Sequence, residues 1–255
     1  MEYGLIGEKL SHSYSAEIHP LLGYDYCLQE LKPSQVEPFL KERNFKGINV
    51  TIPYKEVVMK YLDEIDPIAL EIGAVNTICN RNGRLYGYNT DFVGMEALIK
   101  KTGVSLEGKR VMIAGSGGTS KTAVAVAKSL GALEVFRLSR SQKEGCITYD
   151  EAERLDADFF INTTPCGMYP NISSESIDIN RFPTLLGMID AVYNPLETVS
   201  VLKALKKGIP ALGGLYMLVV QAVAACEKFT GKKISQEETD RIYKTILESK
   251  QLSKG

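Results

Sequence analysis

Four short polar stretches in the first hundred residues carry the side chains best suited to chemistry. They span Ser11–Ser15, Asn49–Lys55, Gly73–Thr77 and Gly87–Asp91. We expect each at a strand end or a turn, and open α/β sheets bind ligands outside the carboxyl ends of their strands. Their hydroxyls, amides, single ammonium and single carboxylate suit a small polyhydroxylated acid better than a lipid or a nucleobase.

The ammonium and the carboxylate belong to Lys55 and Asp91, which we predict to be catalytic. Hydride transfer to a ketone builds negative charge on oxygen, so a nearby group must donate a proton or stabilise that charge. Lys55 is the natural cation, and an adjacent Asp91 would orient it and bind a substrate hydroxyl. A solvated lysine and a helix-capping aspartate are the alternatives that remain open. His12 and His19 are interpreted as loop or packing residues.

A glycine-rich turn in the middle of the chain predicts a dinucleotide site. It follows a strand-like run and opens a helical one, so that free N–H groups face a pyrophosphate. The cofactor-binding residues predicted here are Gly115, Ser116, Gly117, Gly118 and Thr119. Ser120 stands where the usual pattern has its third glycine. A turn that binds nothing, or one that binds a methyl donor, is the alternative.

The end of the next strand indicates which dinucleotide binds. An NAD site usually carries Asp or Glu there, whereas the chain reads Ser139, Arg140 and Ser141. Arg140 can pair with a 2′-phosphate, and the two serines can donate hydrogen bonds to it. We therefore predict NADP, with a solvated surface arginine as the alternative.

Strands and helices alternate along the chain, which indicates an α/β protein. Strands are predicted at Tyr3–Ile6, Tyr24–Leu28, Gly47–Val50, Val75–Cys79, Leu85–Tyr88, Arg110–Ala114, Glu134–Leu138, Phe159–Asn162 and Met188–Ala191. Helices are predicted at Ser34–Arg43, from near Asp91, at Lys121–Leu130, Thr198–Lys207 and Leu215–Phe229, and after a capping box at Ser235–Glu238. Ser34 is expected as an N-cap, and Asn82-Gly83 as a hairpin turn. The sheets should be largely parallel.

Composition excludes several classes of protein. The 255 residues carry a net charge of −1, which argues against a nucleic-acid or anionic-membrane surface. The apolar runs fall short of a membrane span, and the first ten residues lack a signal-peptide pattern. Five scattered cysteines indicate reduced thiols in the cytoplasm, and two histidines make a metal site unexpected. We expect a monomer or a homodimer.

The polar stretches together resemble the shikimate dehydrogenase family. The matching motifs are SHSYS (11–15), NVTIPYK (49–55), GAVNT (73–77), GYNTD (87–91), INTTPCGM (161–168), DAVYNP (190–195) and GGLYMLVVQA (213–222). They occur in the family's order and cover almost the whole chain. The family's Asn-Arg-Thr clamp for NADP is Ser-Arg-Ser here, and Ser15 is followed by Ala16 instead of proline.

The resemblance implies a two-domain enzyme, with an N-terminal α/β substrate domain and a Rossmann-type NADP-binding domain. The substrate domain would comprise residues 1–102 with 214–255, and the NADP domain residues 103–213. It implies Lys55 and Asp91 as the catalytic pair. Implied substrate-binding residues are Ser13, Ser15, Thr51, Asn76, Tyr193 and Gln221, with the two serines on the carboxylate. Implied further cofactor residues are Asn162, Thr163, Thr164, Met168 and Gly214.

The implied reaction is the NADPH-dependent, reversible reduction of 3-dehydroshikimate to shikimate, a step of aromatic amino-acid biosynthesis. A quinate/shikimate dehydrogenase with broader substrate or NAD use is the nearest alternative. A catalytically silent NADP-binding regulator is a second, although retention of Lys55 and Asp91 argues against it. A methyltransferase is a third, and it would give Arg140 no purpose.

Overall fold

The computed structural model describes residues 1–10, 13–152 and 154–252. The chain divides into two compact units, Met1–Val93 with Val219–Gly255, and Gly94–Leu218. The functional boundaries predicted after residues 102 and 213 stay a prediction. No helix in the described part of the chain is both long enough and apolar enough to cross a membrane.

Strands and helices alternate, which confirms the α/β class. The strands are β1 Tyr3–Gly7, β2 Cys27–Glu30, β3 Gly47–Val50, β4 Glu64–Ile65, β5 Thr77–Arg81, β6 Arg84–Tyr88, β7 Arg110–Ala114, β8 Glu134–Ser139, β9 Ile147–Thr148, β10 Phe159–Asn162, β11 Gly187–Asp190 and β12 Ala211–Leu212. The helices are α1 Ser15–Leu21, α2 Pro33–Glu42, α3 Pro67–Ile72, α4 Thr90–Lys101, α5 Gly118–Ser129, α6 Tyr149–Ala152, α7 Val199–Lys206, α8 Leu215–Thr230 and α9 Gln236–Leu252. Short 3-10 helices span Val57–Tyr61 and Ile179–Arg181.

The first unit contains a six-stranded mixed sheet in the order β2-β1-β3-β5-β6-β4. β1 is parallel to β2 and β3, whereas β5 is antiparallel to β3 and to β6. Asn82 and Gly83 both have positive φ angles, 54° and 83°, as a tight hairpin turn between β5 and β6 requires. The carboxyl ends of β3 and β6 and the amino end of β5 therefore meet at one edge of the sheet.

The second unit contains a six-stranded sheet in the order β12-β11-β10-β7-β8-β9, in which every pairing is parallel. Its central strands β7, β10 and β11 are buried or nearly so along their length, as expected for a parallel sheet covered on both faces. Met112, Phe160 and Met188 lie fully buried in its core. This strand order and parallel pairing are those of a Rossmann-type sheet.

Several predicted boundaries were wrong. The strand predicted at Tyr24–Leu28 lies at Cys27–Glu30, because Tyr24 and Tyr26 pack against His19 before the strand begins. The strand predicted at Val75–Cys79 begins two residues later, at Thr77.

Two predicted helix starts were also wrong. The N-cap of α2 is Lys32 and not Ser34, because Pro33 takes the first helical position and the Gln35 side chain accepts the Lys32 N–H at 2.8 Å. Helix α5 begins at Gly118 and not at Lys121, with Gly117 as its N-cap. Part of the glycine-rich segment is therefore the first turn of a helix.

Candidate active site

Lys55 and Asp91 form an ion pair in the first unit. The distance from Lys55 Nζ to Asp91 Oδ2 is 2.6 Å, and the two side chains are 14% and 9% exposed. Opposite charges attract more strongly in this partly desolvated setting than on an open surface. The pair joins residues 36 positions apart in sequence. The two side chains that sequence reasoning singled out for catalysis are therefore in contact.

Lys55 is held by the segment that follows β3. Tyr54 is 2% exposed, its hydroxyl donates to the Leu31 carbonyl at 2.5 Å, and its N–H donates to the Thr51 carbonyl at 2.9 Å. The carbonyl of Lys55 accepts the Val75 N–H at 2.8 Å. Anchoring of the backbone on both sides directs the lysine side chain. Thr51 itself is half-buried and donates its N–H to the Ile6 carbonyl at 3.0 Å.

Asp91 is held by the start of helix α4. Asn89 immediately precedes the helix, and its Oδ1 accepts the Phe92 N–H at 3.2 Å, as an N-cap does. The Asn89 Nδ2 group donates to the Ala74 carbonyl at 2.9 Å. Asp91 lies in the first helical turn, where the helix dipole favours a negative charge. It is thus both a first-turn acid and the partner of Lys55.

Asn76 and Gln221 meet near the same edge of the sheet. The Asn76 Nδ2 to Gln221 Oε1 distance is 3.5 Å, and the residues are 3% and 7% exposed. Gln221 comes from α8, so this helix adds a polar group beside Asn76, which immediately precedes β5. Asn76 is anchored through its N–H to the Tyr88 carbonyl at 3.0 Å.

The predicted carboxylate-binding serines lie at the start of α1. Ser15 is buried in the first turn, and its N–H donates to Ser13 Oγ at 3.3 Å. Ser11 and His12 of the same motif lie outside the described residues. Tyr193 follows β11 in the second unit and is half-buried.

His19, which sequence reasoning treated as a loop or packing residue, is fully buried in α1 of the first unit. It stacks on Tyr26 with ring centroids 3.7 Å apart, and Nδ1 contacts the Tyr24 hydroxyl. Burial lowers the pKa of His19 to about 3, so the ring is neutral at physiological pH. Its packing role is confirmed.

The glycine-rich turn links β7 to α5 in the second unit. Gly115 has φ +121°, and a Cβ there would lie 2.4 Å from Thr163 Oγ1. At Gly117 a Cβ would meet nothing within 4 Å, so open space adjoins the helix N-terminus. Gly118 and Thr119 supply the first helical N–H groups, which suits an anionic group. Ser120 points inward instead and donates to the Gly117 carbonyl at 2.7 Å.

The end of β8 carries the predicted phosphate clamp. Ser139 is buried, while Arg140 and Ser141 are exposed. Lys143, which sequence reasoning missed, reaches back to the turn and donates from Nζ to the Ser116 carbonyl at 3.1 Å. A second cation three positions after Arg140 was the signal that could have revealed it.

The end of β10 also meets this turn. Thr163 donates from both its N–H and its hydroxyl to the Ala114 carbonyl, at 2.9 and 2.6 Å. Thr164 bonds through its N–H and hydroxyl to Asn162 Oδ1, at 3.1 and 2.7 Å. The carboxyl ends of β7 and β10 are thereby fixed beside the glycine-rich turn.

Two further predicted cofactor residues differ in their surroundings. Met168 is 44% exposed after β10. Gly214 is enclosed, because a Cβ there would lie 2.3 Å from the Ala191 carbonyl oxygen. In the described residues, no group of three His, Cys, Asp or Glu side chains is arranged to hold a metal ion.

Known proteins resemble this chain in sequence. A family profile for the shikimate dehydrogenase substrate binding domain matches residues 5–78. The chain is 38% identical to a shikimate dehydrogenase (NADP(+)) from Clostridium perfringens over an alignment of 264 residues, which covers 96% of this chain and 97% of that protein.

Solved structures give the same result over nearly the whole chain. A chorismate mutase/shikimate 5-dehydrogenase fusion protein from Clostridium acetobutylicum superimposes with a TM-score of 0.91 at 34% identity, covering 98% of each chain. A shikimate 5-dehydrogenase from Thermus thermophilus, in complex with NADP(H) and shikimate, gives a TM-score of 0.85 at 27% identity, covering 96% of this chain and 99% of that one. The chain belongs to the shikimate dehydrogenase family.

Proposed function

We propose that this chain is a shikimate dehydrogenase that reduces 3-dehydroshikimate to shikimate with NADPH, reversibly, in aromatic amino-acid biosynthesis. The observation that carries the proposal is the ion pair of Lys55 and Asp91, 2.6 Å apart and largely withdrawn from water. A structural surface pair would be solvent-exposed and worth little to stability. A nearly buried pair beside the hydroxyl and amide groups of a sheet edge is better explained by chemistry.

Several features of the second unit support NADP as the cofactor. The open space at Gly117 and the N-terminus of α5 would admit the pyrophosphate, with Gly115, Ser116, Gly118 and Thr119 forming the turn. Arg140, with Ser139 and Ser141, would bind the 2′-phosphate, since a carboxylate there would repel it. Thr163, Met168 and Gly214 would line the remaining groove. The bound cofactor supplies the hydride.

Lys55 and Asp91 would provide the acid–base chemistry of the reaction. As the ketone becomes an alcohol, its oxygen gains negative charge, which the Lys55 ammonium would stabilise or neutralise by donating a proton. Asp91 keeps the ammonium oriented through the 2.6 Å contact and would accept a hydrogen bond from a substrate hydroxyl. The two charges compensate each other before the substrate binds, so the pair can remain in a partly desolvated pocket.

The other polar residues would fix the orientation of the substrate. We assign the substrate carboxylate to Ser13 and Ser15, whose hydroxyls lie at the start of α1. The remaining carboxylate and hydroxyl contacts are assigned to Thr51, Asn76, Tyr193 and Gln221. Correct placement of the reacting carbon is worth several orders of magnitude in rate, so loss of one such contact should be measurable.

The test follows nicotinamide absorbance with shikimate or quinate as substrate and with NADP or NAD in separate reactions. We expect NADP-dependent oxidation of shikimate. Comparable rates with quinate or NAD would favour the broader quinate/shikimate enzyme. Turnover of neither acid with either cofactor would contradict the proposal.

Substitution of the pair tests its role. We expect Lys55→Ala and Asp91→Asn to lower kcat by about 10²–10⁴-fold, the usual contribution of a positioned acid or base. Lys60→Ala is the matched control, since Lys60 is an exposed lysine in the same segment. Equal losses in all three variants would show that the effect is not specific to the pair.

The compartment and assembly are also proposals. All five cysteines are free thiols, as is usual for proteins of the reducing cytoplasm, where we place this chain. We expect a monomer or a homodimer, which light scattering of the purified protein would distinguish.

A further inference from the structure

The side-chain oxygen of Asn76 is surrounded by donors from the protein itself. Oδ1 accepts the Thr90 N–H at 2.7 Å and lies 3.1 Å from Thr77 Oγ1 and 3.2 Å from Thr90 Oγ1. Asn76, Thr77 and Thr90 are 3%, 0% and 2% exposed. A carbonyl-type oxygen has two lone pairs, so its capacity to accept is used within the fold.

The direction of the Thr77 hydroxyl is set by a second buried amide. Asn49 Nδ2 donates to Thr77 Oγ1 at 3.0 Å and to the Asn76 main-chain carbonyl at 3.2 Å. The Tyr26 hydroxyl donates to Asn49 Oδ1 at 2.7 Å, which fixes the orientation of the Asn49 amide. Because Thr77 Oγ1 accepts from Asn49, its single proton is available for Asn76 Oδ1 or Thr90 Oγ1.

We propose that Thr77 is a positioning residue that, together with the Thr90 N–H, makes Asn76 present its NH₂ group, and not its oxygen, to the substrate. This inference rests on the proposed function, because it specifies how one substrate contact is made. The Asn76 amide cannot be reversed, since an NH₂ in place of Oδ1 would face the Thr90 N–H, which can only donate. Its Nδ2 therefore lies on the side of Gln221, 3.5 Å from Oε1.

The assignment has a consequence for recognition. A group that only donates binds an acceptor oxygen of the substrate, so Asn76 would recognise a hydroxyl through its lone pairs. The hydroxyl proton then remains available for a carboxylate such as Asp91. Thr77 lies behind Asn76, is fully buried, and acts on the substrate only through it.

The experiment compares Thr77→Val with Thr77→Ser. Valine has almost the shape of threonine but lacks the hydroxyl, whereas serine keeps the hydroxyl and lacks the methyl group. We expect Thr77→Val to raise the KM for shikimate about 10-fold and leave the KM for NADP within about 2-fold, since an unsatisfied buried partner weakens the orientation. Thr77→Ser should restore the KM for shikimate to near the wild-type value.

Tyr26→Phe acts on the same chain of bonds one step further away, through Asn49. It should also raise the KM for shikimate, but by a smaller factor than Thr77→Val does. Tyr24→Phe is the matched control: Tyr24 precedes the same strand, and its hydroxyl contacts His19 and not Asn49. Shikimate binding without cofactor, measured by tyrosine fluorescence, gives a readout that is independent of turnover.

The outcomes separate the two proposals. Failure of the wild-type chain to bind shikimate overturns the proposed function and this inference together. Wild-type binding with equal affinity in Thr77→Val overturns the inference alone. Equal weakening by Thr77→Val and Thr77→Ser also overturns it, because the hydroxyl would then not be the cause. Should Thr77→Val fail to fold, equal shikimate affinity in Tyr26→Phe and Tyr24→Phe overturns it.

Discussion

Asp190 is a fully buried acid at the end of β11, and its titration should be visible in the stability of the protein. Its Oδ1 accepts from Asn162 Nδ2 and from the Val192 N–H, each at 2.9 Å, and its Oδ2 accepts from Thr198 Oγ1 at 2.7 Å. Burial raises the pKa of the carboxyl from 3.8 to about 6, and the three hydrogen bonds offset only part of that shift.

The sign and size of the effect follow from linkage. The native state holds the Asp190 proton more tightly than the unfolded chain, so this stabilisation is present below the unfolded pKa of 3.8 and is lost as pH rises through about 6. A shift of about two units corresponds to about 3 kcal/mol. Between about pH 4.5 and about pH 7.5, the free energy of unfolding of the wild-type protein should fall by about 2 kcal/mol through this group. The amide side chain in the Asp190→Asn variant does not ionise, so the variant should not show this fall in the free energy of unfolding.

The assay is urea unfolding of the wild-type and Asp190→Asn proteins across that pH range, followed by circular dichroism. We expect the free energy of unfolding of the variant, relative to wild type, to rise by about 2 kcal/mol from the acidic to the neutral end. Asp150→Asn, an exposed acid of the same unit, is the control and should give a constant difference. A constant difference for Asp190→Asn as well would refute the reasoning.

Two other predictions concern the turn and the helix cap. Gly115→Ala should destabilise the protein by about 1–3 kcal/mol, since the new Cβ would lie 2.4 Å from Thr163 Oγ1. At Gly117, φ is −90° and open space surrounds the position of a Cβ. Gly117→Ala should therefore leave thermal stability unchanged and weaken NADPH binding in a fluorescence titration. Equal melting temperatures for the two variants would contradict this. Asn89→Ala should lower the free energy of unfolding, measured in urea, by about 1–2 kcal/mol, because the Phe92 N–H loses its capping acceptor. An unchanged unfolding midpoint would show that the cap does not stabilise the protein.

The parts of the fold that sequence predicted well are those where packing and local pattern agree. Gly47–Val50, Arg110–Ala114 and Phe159–Asn162 were predicted with the bounds that the structure has, because each is a short, mostly apolar and buried run at the centre of a sheet. The edge strand Cys27–Glu30 was misplaced, since three of its four residues are exposed and its apolar neighbours pack elsewhere. Helix Ser15–Leu21 was missed, as it is short and contains a proline.

The candidate site divides in the same way. The contact between Lys55 and Asp91 was predicted because both residues carry charge in recognisable motifs. Asn49 and Thr77 stood inside quoted motifs but received no role, since their function depends on hydrogen-bond directions that only three-dimensional contacts reveal. Asp190 was likewise part of a motif, and its raised pKa depends on complete burial, which composition does not show.

The hairpin of β5 and β6 has a consequence for how the chain can vary. Thr77 pairs with Tyr88 at one end of the ladder, and Arg81 pairs with Arg84 at the other, next to the two-residue turn. Neighbouring residues of a strand face opposite sides of the sheet, so one residue inserted at Asn82 would shift the pairing of β5 with β6. The shift would move Thr90, two residues after β6, away from Asn76 and Thr77. The turn at the far end of the hairpin thus affects the alignment of the polar residues around Thr77, and length changes there should be tolerated far less than changes of residue type.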